Sequence, residues 1–177
     1  KSCQLQFTLT SPDSKPTLPL SSYGPLFSAE EDSKISYRRS AASAHLRPDF
    51  TFEQFAVSST NEMAYAAAQA VSRNPGQAYH LLFLFGGVGV GKTHLMQGIG
   101  HRILEADPQT KVMYRSSEEF TNEIVEAIQY KTTAEFRKRY RSVKALMLDD
   151  IQFIGGKDKV QEEFFHTFNA IHQEGGE

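Results

Sequence analysis

The fold is decided by a stretch in the middle of the chain, Leu81-Leu82-Phe83-Leu84-Phe85-Gly86-Gly87-Val88-Gly89-Val90-Gly91-Lys92-Thr93-His94. An apolar run of strand length passes into a glycine-rich turn that closes on Gly-Lys-Thr, which fits the phosphate-binding loop pattern G-x-x-x-x-G-K-[ST]. Glycines let the backbone approach an anion and point successive N–H groups at it. The alternative is a glycine-rich turn with a chance lysine, but the order of strand, loop and Gly-Lys-Thr favours a phosphate-binding loop.

This loop predicts binding of ATP or ADP with Mg²⁺. Lys92 is expected to bind the β- and γ-phosphates and to act as a catalytic residue there. The Thr93 hydroxyl is expected to bind Mg²⁺. The N-terminus of the following helix adds partial positive charge. The loop residues that we expect to contact the nucleotide are Gly87, Val88, Gly89, Val90, Gly91, Lys92, Thr93 and His94.

Composition restricts the class of protein. The chain has 177 residues, enough for one domain and a tail, and 40% of them are hydrophobic. A single cysteine excludes an internal disulfide framework. No apolar run is long enough to span a membrane, and residues 1–20 lack a signal-peptide core, so we expect a cytoplasmic protein. The first residue is Lys1, which suggests a fragment.

Residues 1–45 are rich in proline and serine and show no sustained helical or strand periodicity. Their sparse apolar side chains cannot offset the cost of ordering the backbone, about 1–2 kcal/mol per residue. We therefore predict a disordered linker over 1–45 and a folded domain over 46–177. Alternation in residues 4–10 also fits a short strand.

Residues 46–177 alternate between strand and helix patterns. We predict helices over 61–73, 93–105 and 157–172, two more helices opened by the capping boxes Ser116/Glu119 and Thr132/Glu135, and strands over 81–85, 111–115 and 145–148. Strands that alternate with helices indicate an α/β fold with a parallel sheet.

Two acids, Asp149 and Asp150, end the apolar strand over 145–148. A carboxylate at the end of a buried strand after a phosphate-binding loop is the expected place for the Mg²⁺-side acid of a P-loop NTPase. We assign Asp149 to Mg²⁺ and Asp150 to orientation of the attacking water. The alternative is a polar strand exit, which the phosphate-binding loop makes less favourable.

Several motifs then resemble one family. They are Phe50-Thr51-Phe52-Glu53-Gln54-Phe55, Asn74-Pro75-Gly76, the loop 86–94, Tyr140-Arg141-Ser142-Val143, Asp149-Asp150-Ile151-Gln152-Phe153 and Gln161-Glu162-Glu163-Phe164-Phe165-His166-Thr167-Phe168-Asn169. They look like the AAA+ domain of the bacterial DnaA replication-initiator family. The resemblance covers about 46–171 and implies a P-loop AAA+ domain that stops after the acid strand and its following helix.

The resemblance also implies residue roles that the residues alone leave open. Val57 and Asn61 would lie against the adenine, and Val125, Lys157 and Lys159 would contact single-stranded DNA. The helices opened by Ser116 and Thr132 would be the initiator-specific insertion. From the residues alone, Val125 fits core packing, and the basic run over 131–144 fits a solvated helix face as well as it fits nucleic acid.

The implied function is ATP-dependent initiation of chromosome replication, with slow ATP hydrolysis as the off switch. The implied partners are origin DNA (single-stranded through this domain, duplex repeats through a C-terminal domain outside these residues), further copies in a filament, the replicative helicase and acidic phospholipids. A helicase loader, a non-catalytic regulator and a nucleotide kinase are the alternatives. The family's strand order places a strand from beyond residue 177 between 81–85 and 145–148, so we expect residues 1–177 alone to be unstable and inactive.

Overall fold

The computed structural model describes residues 29–77 and 81–173. The helices are α1 (Ala29–Ser43), α2 (Glu62–Arg73), α3 (Lys92–Ala106), α4 (Ser117–Gln129), α5 (Thr133–Arg141) and α6 (Asp158–Gln173), and the strands are β1 (Val112–Ser116) and β2 (Ala145–Asp149). Short 3₁₀ helices cover Phe52–Gln54 and Ile151–Ile154. The strand suggested over 4–10 lies outside the described residues. None of the described helices is long and apolar enough to cross a membrane.

The two strands form a parallel pair whose register runs from Val112 opposite Ala145 to Ser116 opposite Asp149. Alternate side chains of a strand point to opposite faces, and here they separate into two cores. Ala145 and Met147 pack with α1, α2 and α3, whereas Leu146 and Leu148 pack with α4, α5 and α6. The predicted α/β layering with a parallel sheet is thus confirmed.

The strand predicted over 81–85 is not formed. Leu82 and Leu84 pack against the first core, while Leu81, Phe83 and Phe85 are exposed. The alternation of a strand is therefore present without its hydrogen-bonded ladder. A strand needs a neighbour to supply hydrogen bonds, and β1 and β2, which pair with each other, are the only strands in the described ranges.

Helix α1 falls inside the segment that the sequence predicts to be disordered, so that prediction is wrong for Ala29–Ser43. The helix packs on α3: Ala41 and Ala44 are buried, and Ser40 Oγ donates to the Pro108 carbonyl over 2.7 Å. Alanines give little hydrophobic periodicity, which is why the sequence does not reveal this helix. The domain boundary at residue 46 stays a prediction.

The helix starts agree only in part with the predicted capping. At α4 the capping box is present, since Ser116 Oγ accepts from Glu119 N and Ser116 N donates to Glu119 Oε2. At α5 the predicted box is absent, because the Thr132 side chain makes no cap bond. The backbone carbonyl of Thr132 accepts from the Glu135 N–H instead. Helix α2 begins at Glu62, one residue after the predicted start, with Asn61 in the N-cap position and without a side-chain cap bond.

Candidate nucleotide site

The glycine-rich loop enters α3 through two residues with positive φ, Gly89 at 80° and Gly91 at 91°. Such angles are readily adopted only by glycine. A Cβ on Gly91 would also lie 2.7 Å from Cε2 of Phe55. The loop can therefore take this shape, with Phe55 close above it, only because the sequence has glycine at this position.

Lys92 folds back onto its own loop. Its Nζ donates to the carbonyls of Gly86, over 3.0 Å, and Gly87, over 2.7 Å. These two contacts hold the ammonium at the loop, beside the N-terminus of α3. A fixed positive charge at a helix N-terminus is suited to a polyphosphate.

Asp149 lies opposite this loop, at the C-terminal end of β2, and is buried. Its Oδ2 accepts hydrogen bonds from Thr93 Oγ1 at 2.5 Å and from the Tyr114 hydroxyl at 3.1 Å. Its Oδ1 accepts from the Asp150 N–H at 3.0 Å. The sequence predicts that the phosphate-binding loop and the end of the acid strand lie together. In the structure Thr93 and Asp149, 56 positions apart, are in contact.

The sequence analysis missed Tyr114, the third member of this cluster. Burial, together with the charge of Asp149, raises the pKa of the Tyr114 hydroxyl to about 12. The hydroxyl is thus protonated at neutral pH and donates to the carboxylate. The register of β1 against β2 could have revealed it, because Tyr114 lies opposite Met147, two residues before Asp149.

The donor set fits Mg²⁺. A hydroxyl and a carboxylate oxygen are hard ligands, and in the described part of the chain no lysine or arginine forms an ion pair with Asp149. The described residues contain no cluster of three or more histidine, cysteine or acidic side chains that could hold a metal. Mg²⁺ does not require one, because it is usually bound through one or two carboxylates and substrate phosphates.

Asp150 is exposed and adopts a left-handed backbone conformation, with φ at 55°. Aspartate tolerates this region better than most residues. Its carbonyl accepts from Ser117 Oγ, and its Oδ1 accepts from Gln152 Nε2 over 3.2 Å. The turn therefore separates the two acids: Asp149 is buried toward Thr93, and Asp150 is exposed.

A cavity of about 590 Å³ lies between the loop and the segment that precedes α2. This volume is typical of small-ligand pockets. The predicted nucleotide contacts that line it are Asn61, Gly89, Val90, Gly91, Lys92 and His94. Phe55, Ala64 and Leu95 add apolar wall. Val57, Gly87, Val88 and Thr93 are not among the lining residues, and Val57 and Val88 are exposed.

Asn61 shapes one wall of this cavity. Its Oδ1 accepts from the Ser58 N–H over 2.7 Å, and its Nδ2 donates to the Ala56 carbonyl over 3.0 Å. On the same side, His94 Nε2 donates to the Thr51 carbonyl over 2.7 Å, and its ring stacks on Phe50. His94 thus holds the segment 50–61 against the start of α3, and Asn61 fixes the turn within that segment.

The residues that we expect to contact nucleic acid lie on α4 and at the start of α6, on the opposite face of the sheet from α3. Val125 is half exposed on α4, which rules out the core-packing alternative for this residue. Lys157 and Lys159 are exposed at the start of α6, and α4 and α6 pack against each other.

The basic run over 131–144 is used in part within the protein. Arg137 makes two 2.8 Å hydrogen bonds to the buried carboxylate of Glu163, and Arg139 pairs with Glu123. For these two arginines the structure therefore favours packing between helices over contact with nucleic acid. Lys131 and Lys138 are exposed.

A parallel β-pair between helical layers, a glycine loop at the start of α3 and a buried acid beside Thr93 define a P-loop nucleotide-binding domain of the AAA+ type. The family model described as the bacterial DnaA ATPase domain matches residues 46–177. The chain therefore belongs to the bacterial DnaA family.

Known relatives agree with this assignment. The chromosomal replication initiator protein DnaA of Chloroflexus aurantiacus is 58% identical over 130 residues, which are 73% of this chain and 27% of that protein. The crystal structure of domain III of Thermotoga maritima DnaA matches with a TM-score of 0.71 and 47% identity, over 73% of this chain and 54% of the other. A replication initiator DnaA bound to AMPPCP and single-stranded DNA matches with a TM-score of 0.70 and 38% identity, over 75% and 41% of the two chains. The chain thus spans about a quarter of the length of the curated relatives it matches.

Proposed function

We propose that the protein to which this chain belongs is an ATP-controlled initiator of bacterial chromosome replication. Its ATP-bound form assembles on origin DNA and opens the duplex, and ATP hydrolysis switches it off. The observation that carries this proposal is the meeting of Thr93 and Asp149 beside the Lys92 loop in a chain of the DnaA family.

Each residue of the site has a distinct task in this proposal. Lys92, now on the carbonyls of Gly86 and Gly87, would bind the β- and γ-phosphates, and Thr93 and Asp149 would hold Mg²⁺. Bound there, Mg²⁺ would supply neutralisation of the phosphate charge, as in other P-loop NTPases. Asp150, exposed next to the buried acid, orients the attacking water.

The adenine end of the nucleotide occupies the cavity between the loop and the segment that Asn61 organises. Phe55 and Ala64 provide apolar wall there. Val57 is exposed and follows the lining residues Phe55 and Ala56 in the chain, so in this proposal it contacts the base from the solvent side.

Single-stranded DNA binds to the surface that carries Val125, Lys157 and Lys159. The support is their exposure on two helices that pack together, and a relative that is bound to AMPPCP and single-stranded DNA. In the cytoplasm the complete protein would also contact further copies of itself, duplex origin repeats, the replicative helicase and acidic phospholipids.

Replacement of Lys157 and Lys159 by alanine in the complete protein tests the DNA surface. Phosphate contacts release counterions, so the double variant should bind single strands more weakly. The slope of log K against log salt concentration should become less negative by about 0.7 for each contact removed. The matched control is Lys34→Ala with Lys111→Ala, two exposed lysines on α1 and just before β1. Single-strand affinity equal to that of the parent across the salt series would contradict the assignment of these two lysines.

A further inference from the structure

Tyr114 is the residue of the site that the proposed function leaves without a task. Its hydroxyl lies 3.1 Å from Asp149 Oδ2, the oxygen that also accepts from Thr93. Among the described residues, Thr93 and Tyr114 provide the side-chain hydroxyls that donate to Asp149. In the Mg²⁺-nucleotide state the Thr93 hydroxyl is needed for the metal, so Tyr114 is the side-chain donor that stays with the carboxylate.

The sheet brings Tyr114 to this position. It lies opposite Met147 in the parallel ladder, and Asp149 follows two residues later on the same face of β2. Two residues of strand span about 6.6 Å, a distance that a tyrosine side chain can cover and that a shorter side chain cannot. The pairing of β1 with β2 thus sets the hydroxyl at the end of the acid strand.

We propose that Tyr114 is a positioning residue for the metal-binding acid: its hydroxyl fixes the orientation of Asp149. This inference rests on the proposed Mg²⁺-nucleotide site. Hydrogen bonds to metal-ligating carboxylates set ligand orientation, and their loss typically reduces metal affinity 10- to 100-fold. Tyr114 contributes little to the part of binding that does not involve the metal, because its hydroxyl reaches the site only through Asp149.

The test is Tyr114→Phe in the complete protein, with nucleotide affinity measured by calorimetry in EDTA and then across a Mg²⁺ titration. Phenylalanine keeps the ring in the core and removes only the donor. We expect unchanged nucleotide affinity in EDTA and a Mg²⁺ midpoint that is about tenfold higher. The matched control is Tyr140→Phe, which removes the hydroxyl of a buried tyrosine that donates to Glu123, away from the site, and should leave the midpoint unchanged.

The other outcomes are also decisive. A Mg²⁺ midpoint equal to that of the parent would overturn the inference, and so would a loss of nucleotide binding in EDTA, which would assign Tyr114 a purely structural role. In the Asp149→Asn background the Tyr114→Phe change should have no further effect, since the tyrosine acts through the acid. If the parent itself shows no Mg²⁺-dependent nucleotide binding, the proposed function fails rather than this inference.

Discussion

Asp149, the proposed Mg²⁺ ligand, is a buried carboxyl group with several hydrogen-bond partners. A buried polar group is costly unless hydrogen bonds compensate, and Asp149 accepts three, from Thr93, Tyr114 and the Asp150 N–H. In the described part of the chain no arginine or lysine forms an ion pair with it. The side chain is thus held in one orientation before ligand arrives, which is the preorganisation that catalytic sites need.

Asp149→Asn tests this arrangement. The variant keeps an oxygen acceptor for Thr93 but loses the charge, so we expect nucleotide binding in EDTA to persist and the gain from Mg²⁺ to disappear. ATP turnover should fall roughly a hundredfold, since the metal supplies several kcal/mol of charge stabilisation. Asp32→Asn, at an exposed acid on α1, is the control in the same turnover assay. Turnover that survives Asp149→Asn would mean that a different acid holds the metal.

At the scale of single elements, α4 depends on its first turn. The Glu119 side chain accepts from the Ser116 N–H, and this backbone hydrogen bond lowers the pKa of Glu119 below its usual 4.5. A carboxyl whose pKa is lower in the folded state stabilises the fold above its unfolded pKa. The contribution is lost as the pH falls through the folded pKa. It is therefore complete at neutral pH and disappears below about pH 4.5.

Glu119→Gln should accordingly lower the free energy of unfolding at pH 7 by up to about 1 kcal/mol, the usual contribution of a helix cap. The difference from the parent should shrink as both proteins are acidified below pH 4.5. Glu118→Gln changes an exposed acid in the same turn that does not belong to the box, and serves as control. A destabilisation by Glu119→Gln that stays constant from pH 7 into the acid range would rule out the charge as its cause.

One ion pair joins α5 to α6 in addition to their apolar packing. Glu163 is 6% exposed and receives both hydrogen bonds of the Arg137 guanidinium. Such bidentate pairs are specific in geometry, and a buried carboxylate left without its partner is costly. This pair therefore fixes α5 relative to the helix whose start carries Lys157 and Lys159.

Glu163→Gln should lower the free energy of local unfolding of α5 by about 1–2 kcal/mol. This is near the lower end for charged hydrogen bonds, because Arg137 is half exposed. Hydrogen exchange of the α5 amides in the complete protein measures this directly. Glu162→Gln, one residue earlier and largely exposed, should leave α5 protection unchanged. Equal exchange in all three proteins would show that apolar packing alone holds α5 in place.

At the scale of the whole molecule, the sequence predicts that the residues of the candidate site lie together better than it predicts the surrounding structure. Gly-Lys-Thr and the acid after an apolar strand are local patterns with a direct chemical reason, and the structure brings Thr93 and Asp149 into contact. Their role in nucleotide binding stays a prediction. Tyr114 and the Arg137–Glu163 pair depend on register and helix packing, which no local pattern contains. Helix α1 was missed because its buried face consists of small alanines and a single tyrosine, Tyr37, which give little apolar periodicity.

The segment 81–85 marks a different limit. Its apolar residues predict a strand, and in the structure Leu82 and Leu84 face the core while Phe83 and Phe85 are exposed. A ladder, however, is a property of two strands, and local sequence describes only one of them. An apolar run of five residues therefore contains neither the inward face of this segment nor its pairing.

The most direct test of the account is the affinity of the complete protein for ATP with Mg²⁺, measured by calorimetry with and without Lys92→Ala. The account predicts a loss of about 1.5–3 kcal/mol, roughly a ten- to hundredfold weaker affinity, because a charge-assisted contact to the phosphates is removed. Lys138→Ala, at an exposed lysine on α5, should bind ATP like the parent. Equal affinity in the Lys92→Ala variant and the parent would contradict the claim that this loop is the nucleotide site.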